Sequence, residues 1–193
     1  MNTKILWSIP VFLILSACSK VNDTPAEAAS AVSEAPAASA PAKQENTIQT
    51  LNSQDGKIRI VIENGRFADI IGDKSWHPDG IAADELTLLQ RDPSSDITLY
   101  AGNLGKAKTD AKAYFSHLKE ALQSAPGMTD MRVGIATDNR MNYQFSQTDA
   151  DGGTLSENCI AIHETDIYTV CASSPTASAE QLAVVLKDVN LVK

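Results

Sequence analysis

The chain has 193 residues, with 16 Lys and Arg against 24 Asp and Glu and a formal charge of −8 at pH 7. So acidic a balance repels the phosphate backbone of nucleic acid and gives no hold on anionic lipid, which excludes a nucleic-acid partner and attachment through basic patches. The length allows one domain and a tether.

From the N-terminus, Lys4 supplies a positive charge, Ile5 to Ile14 an apolar run, and Leu15-Ser16-Ala17-Cys18 closes the segment. The run falls short of the roughly 20 apolar residues that a spanning helix needs, and Pro10 interrupts it. A plain secretory signal ends on a small residue, which Ala17 would supply. The cysteine directly after it resembles the lipobox of bacterial lipoproteins. That resemblance implies cleavage between Ala17 and Cys18, a diacylglyceryl group on the Cys18 sulfur and an acyl chain on its new amino group, with no other cofactor. Cleavage removes Lys4 and leaves residues 18–193 one unit more acidic. Ser19 follows the cysteine; among lipoproteins in general, lack of Asp there implies the outer membrane over the inner.

Residues 18–46 comprise the lipidated cysteine and a disordered tether rich in Ala, Pro and Ser, as in Glu34-Ala35-Pro36-Ala37-Ala38. Too few large apolar residues occur there to build a core, and Pro25, Pro36 and Pro41 favour extended backbone. Folded structure is expected over 47–193. Ile58, Ile60 and Ile62 alternate before Asn64-Gly65, a two-residue hairpin signal that would set Glu63 against Arg66 and Ile62 against Phe67. Residues 72–83 read as a loop in which Trp76 and His77 offer a partner contact or, as the plainer alternative, a lid packed over the core. A second hairpin is expected from Glu85–Gln90 and Ile97–Tyr100 around Asp92-Pro93-Ser94-Ser95, followed by a polar connection over 102–108.

The clearest helix starts with Thr109 as a cap and Asp110 at its positive end, and buries Ala111, Tyr114, Phe115, Leu118, Ala121 and Leu122 until Pro126-Gly127. His117 lies off that stripe and should face solvent. A meander follows through Met131–Ala136, Met141–Thr148 and Thr154–Ile162. Next, Glu164-Thr165-Asp166 closes a loop between two β-rich runs and brings Cys159 directly opposite Cys171. In an oxidising compartment that pairing favours a disulfide over two buried thiols. The same register puts Ile160 against Val170 and Ile162 against Tyr168 on one face. At the C-terminus Ser178 and Gln181 form a capping box for a helix burying Leu182, Val185, Leu186 and Val189.

These elements describe an α+β domain, an antiparallel sheet of hairpins and a meander with two packed helices. Their order over Gln54 to Lys193 resembles the PsbP-like family, which includes DcrB-type periplasmic lipoproteins. The resemblance implies an αβα arrangement and a non-catalytic accessory that binds larger assemblies.

No catalytic residues are assigned. The chain holds no Gly-x-Ser-x-Gly, phosphate loop or His-Glu-x-x-His, and its three histidines fall on three elements. Asp149, Asp151 and Glu157 miss the spacing of a calcium loop, and no metal site is expected. Twelve positions from Cys159 to Cys171 are not the spacing of a Cys-x-x-Cys redox pair. The expectation is therefore an envelope lipoprotein held to the membrane by lipid, with a protein partner in envelope assembly or maintenance. The competing readings are a surface-displayed binder or inhibitor of a host molecule, and a small hydrolase using His77, His117 or His163.

Overall fold

A computed structural model describes residues 47–73, 76–148 and 152–193, without the side chains of 135 and 136. The signal, Cys18 and the tether lie outside the described residues, as do Asp149 and Asp151. Among the described residues two sheets are formed, and every pair of neighbouring strands is antiparallel. The smaller has order β1-β2-β10, from β1 (Ile48–Asn52), β2 (Ile58–Glu63) and β10 (Val189–Leu191). The larger has order β3-β4-β5-β9-β8-β7-β6. It comprises β3 (Ala68–Asp69), β4 (Leu86–Asp92), β5 (Ile97–Lys106), β6 (Met128–Ala136), β7 (Arg140–Thr148), β8 (Thr154–His163) and β9 (Asp166–Ser174). Two helices are found among the described residues, α1 (Ala111–Ser124) and α2 (Ala179–Val185). The expected α+β class with an antiparallel sheet and two packed helices holds.

The central strands of the larger sheet are buried on both faces. On one, Leu99, Ala101, Ile160, Ile162, Val170 and Ala172 pack with Ile58, Ile60 and Ile62 of the small sheet and Leu182 and Leu186 at α2. On the other, Tyr100, Tyr143, Cys159, Ala161 and Cys171 pack with Phe115 of α1. The alternation of Leu99, Tyr100 and Ala101 between the two cores is the period of a strand. Each fully buried Leu, Ile or Val contributes about 1.5–3 kcal/mol, so the double cover is the main stabilising feature.

Several local expectations are corrected. Asn64-Gly65 does not turn a hairpin. Only Asn64 has positive φ (61°), whereas the two-residue turn needs it at both positions. A strand has two edges, and those of β2 are taken by β1 and β10, so residues 66–71 cross to the larger sheet, where β3 pairs with β4. Gly65 serves another purpose: a Cβ there would stand 2.9 Å from Ile62 Cγ2 and 3.0 Å from the Phe67 ring.

Helix α1 is capped one residue later than expected. The Asp110 carboxylate accepts from the Ala113 N–H at 2.9 Å, while the Thr109 carbonyl accepts from His163 Nε2 at 2.8 Å. A carboxylate is the stronger acceptor and also complements the helix dipole. Ala121 of the expected stripe is exposed, whereas Leu122 next to it packs against the α1-side core. Strand β5 continues to Lys106 where a connection was expected. The capping box at Ser178 and Gln181 is present, but the helix ends at Val185, and Val189 is buried from strand β10.

The cysteine hairpin has the expected register. Cys159 faces Cys171 with Cα atoms 4.1 Å apart, and the two form a disulfide. Both are buried. Replacing both with alanine is expected to lower the unfolding free energy by about 3 kcal/mol in urea denaturation. The untreated chain in reductant should match that variant, and alkylation at either position without reductant would show the bond to be absent.

Candidate functional site

The α1-side face of the sheet is organised in two cross-strand rows. Leu89, Tyr100, Cys171, Cys159, Tyr143 and Val133 follow one another across β4, β5, β9, β8, β7 and β6. Beside it run Arg91, Thr98, Ser173, Glu157 and Phe145. The disulfide thus sits between two tyrosines, and the adjacent row places a carboxylate inside the protein. Thr98, Ser173 and Glu157 are all buried, with Glu157 only 6% exposed.

Burying a carboxylate requires donors. Tyr100 Oη donates to one Glu157 oxygen, and Gln147 Nε2 donates to the other at 2.9 Å. Burial nevertheless pushes the Glu157 carboxyl above the ordinary glutamate range. The Tyr100 hydrogen bond pulls it back in part, and the charge of Asp79 adds to the rise. Burial and then the Glu157 charge hold the Tyr100 phenol well above its usual value, and Tyr143 is pushed up to about 12, chiefly by burial. Both phenols remain donors at neutral pH.

Above this row lies a cleft of about 630 Å³ whose rim includes His77, Asp79, Arg91 and Asp96 and whose wall includes Glu157 and Ser173. Arg91 and Asp96 form an ion pair at 2.7 Å on the rim. Trp76 is half-buried, its ring centroid 5.9 Å from that of Tyr100, so it packs as the lid of the plainer alternative. His77 is exposed, and its Nδ1 donates to the Pro78 carbonyl at 2.9 Å. The structure therefore brings Trp76 and His77 to the cleft with Glu157, a residue not picked out for this site from the sequence.

The histidines do not converge. His77 is on the loop, His117 is exposed on α1, and His163 is bonded to the Thr109 carbonyl. Among the described residues, one group of potential metal donors, Glu157, Cys159 and Cys171, lies within 4.8 Å. Its two sulfurs are bonded to each other, so neither is a thiolate and the group is not a ligand set. What remains is a buried acid with two donors on the wall of a polar cleft.

No family model and no curated protein matches the chain. Among solved structures it is similar to the solution structure of cyanobacterial PsbP (CyanoP) from Synechocystis sp. PCC 6803. The identity is 10% and the TM-score 0.44, over 82% of this chain and all of that one. The function proposed below rests on the chain's own residues.

Glu157 makes stability depend on pH with a definite sign. Its folded-state value lies above the unfolded one, so the folded state binds more protons over the interval between them. Stability should fall as pH rises from the ordinary glutamate value, about 4.3, through the raised one. Tyr100→Phe removes a donor from a buried acceptor and is expected to cost about 1–3 kcal/mol. Carboxyl NMR titration should show the Glu157 value rising further in that variant; an unchanged value would mean that the Tyr100 bond does not set it.

Proposed function

We propose that this chain is an envelope lipoprotein of the DcrB type, anchored through acyl chains on Cys18, whose α+β domain binds a partner protein without catalysis. The observation that carries this reading is Leu15-Ser16-Ala17-Cys18 after Lys4 and an apolar run. Lipid contributes about 0.8 kcal/mol per buried CH₂, and several chains together hold a domain on a bilayer where one is marginal. The Ala/Pro/Ser-rich segment to residue 46 is then the tether, and Ser19 favours the outer membrane.

The partner contact is the cleft rim at His77 and Asp79. Trp76 holds the loop against Tyr100 and borders the same cleft, so it positions the rim and adds to the contact. The histidines, held on separate elements, favour binding over hydrolysis.

Two measurements check this reading. With an alkyne-bearing fatty acid supplied to growing cells, the wild-type chain should carry label and sediment with membranes, and Cys18→Ala should carry none; equal labelling would remove the anchor. A photo-crosslinking residue at His77 should capture one reproducible envelope protein, and the same residue at exposed His117 on α1 should capture none. Identical capture at both positions would dismiss the cleft rim as the contact, while capture only after host fluid is added would favour the surface-displayed binder.

A further inference from the structure

On the α2 side, the larger sheet changes character where it outruns its cover. Ile160 and Ile162 of β8 are buried in the core with Leu182 and Leu186, yet their partners on β7 are Asn142 and Arg140. Asn158 faces Gln144, which in turn faces Arg132 on β6. Residues in register share a face. Arg132, Arg140, Asn142, Gln144 and Asn158 therefore line one groove of about 600 Å³, closed on its other side by Leu186 and Lys187 at the end of α2.

Among the described residues, three cations border this groove and no carboxylate does. In a chain whose acids outnumber its cations 24 to 16, that is a local reversal of charge. Among the described residues the ion pair formed is Arg91 with Asp96, and none of the three groove cations enters one. Glu180 in the first turn of α2 feels Arg132 electrostatically but neither pairs with it nor lines the groove. Arg140 is half-buried, and its Nη1 donates to the Val189 carbonyl at 2.9 Å, which fixes the guanidinium between β7 and β10. A guanidinium has five N–H donors, so most of the fork is left for a guest. Gly134 allows β6 to lie close on β7; a Cβ there would stand 3.2 Å from Asn142 Cβ and 3.3 Å from its carbonyl oxygen.

We infer that this groove binds a phosphorylated sugar. A groove bordered by cations, with the Arg140 fork held in place and Arg132 and Lys187 adding charge along it, matches a phosphate monoester, which carries about −1.5 to −2 at pH 7, better than a single carboxylate. The volume lies within the range of about 300–1,000 Å³ for small-molecule sites and exceeds what bare phosphate fills. Side-chain amides of Asn142, Gln144 and Asn158 can both donate and accept, as sugar hydroxyls require. The sugar is either free or the headgroup of a phosphorylated glycolipid. This site lies on the opposite face of the sheet from the Glu157 cleft and does not depend on lipid at Cys18.

The full chain in non-ionic detergent is titrated with glucose 6-phosphate, with glucose and inorganic phosphate in parallel, and amide shifts are followed by NMR. Saturable shifts at 132–144, 158 and 187 are expected with glucose 6-phosphate, weaker binding with phosphate and none with glucose. Arg132→Gln and Lys187→Gln are both exposed positions outside the apolar core, and each should weaken binding about tenfold. Arg140→Lys keeps the charge but loses the fork and should weaken it as well. Phosphatidylcholine vesicles with and without a phosphorylated glycolipid separate the sources: preference for the glycolipid without response to glucose 6-phosphate assigns the sugar to lipid. Absence of both responses, or unchanged affinity in Arg132→Gln and Lys187→Gln, overturns the assignment.

Discussion

The register in which β8 meets β9 governs the rest of the domain. Both strands are covered on both faces, so a slip of one residue would exchange every side chain between the two cores. Were β8 the strand that slipped, Ile160 and Ile162 would point at α1, and Glu157 and Cys159 at the small sheet. The disulfide forbids that slip covalently, because two opposed residues can be bridged only while they remain opposed. Tyr100 and Tyr143 flank the bond through their own strand pairings, and the rows on both faces inherit the same alignment.

That alignment also explains why an acid is buried. Position 157 has the parity of 159, so whichever residue stands there must face the α1-side core. A carboxylate is tolerated because Tyr100 is long enough to reach from the neighbouring row and Gln147 approaches from β7. Desolvation still opposes its charge, and the raised value of the carboxyl records the balance. Replacing such an acid by an apolar residue would simplify the core; its presence gives the cleft a polar wall close to the His77 rim.

Legibility in the sequence followed the range of the interactions involved. The cysteine hairpin was readable because a short loop, alternation and two cysteines all demand one register. The capping box at Ser178 was readable because its partners are three residues apart. Asn64-Gly65 misled because a local turn preference competes with the edges available to β2, and those are occupied by residues far away at 48–52 and 189–191. Val189 misled in a similar way: it lies three positions after Leu186, on the helical stripe, yet three residues of strand suffice to cover the second edge of β2. Glu157 carried a usable signal, an acid in phase with Cys159 on a buried face. Its donor Tyr100 is 57 positions away, and no pattern in the chain connects them.

Coverage of the sheet decides where polar chemistry can occur. The strands β5, β9 and β8 carry runs buried on both faces, at 97–102, 168–174 and 159–162, whereas β6 and β7 extend past α2. Solvent reaches that face, so Arg132, Asn142 and Gln144 remain soluble there without partners from the core. A solvated face alone would take charges of either sign, and this chain has more acids to place. Selecting three cations and no acid around a concavity therefore adds something that solubility does not require. The sheet thereby separates a cleft walled by Glu157 on the α1 side from a cationic groove on the other, the groove closed by the end of α2.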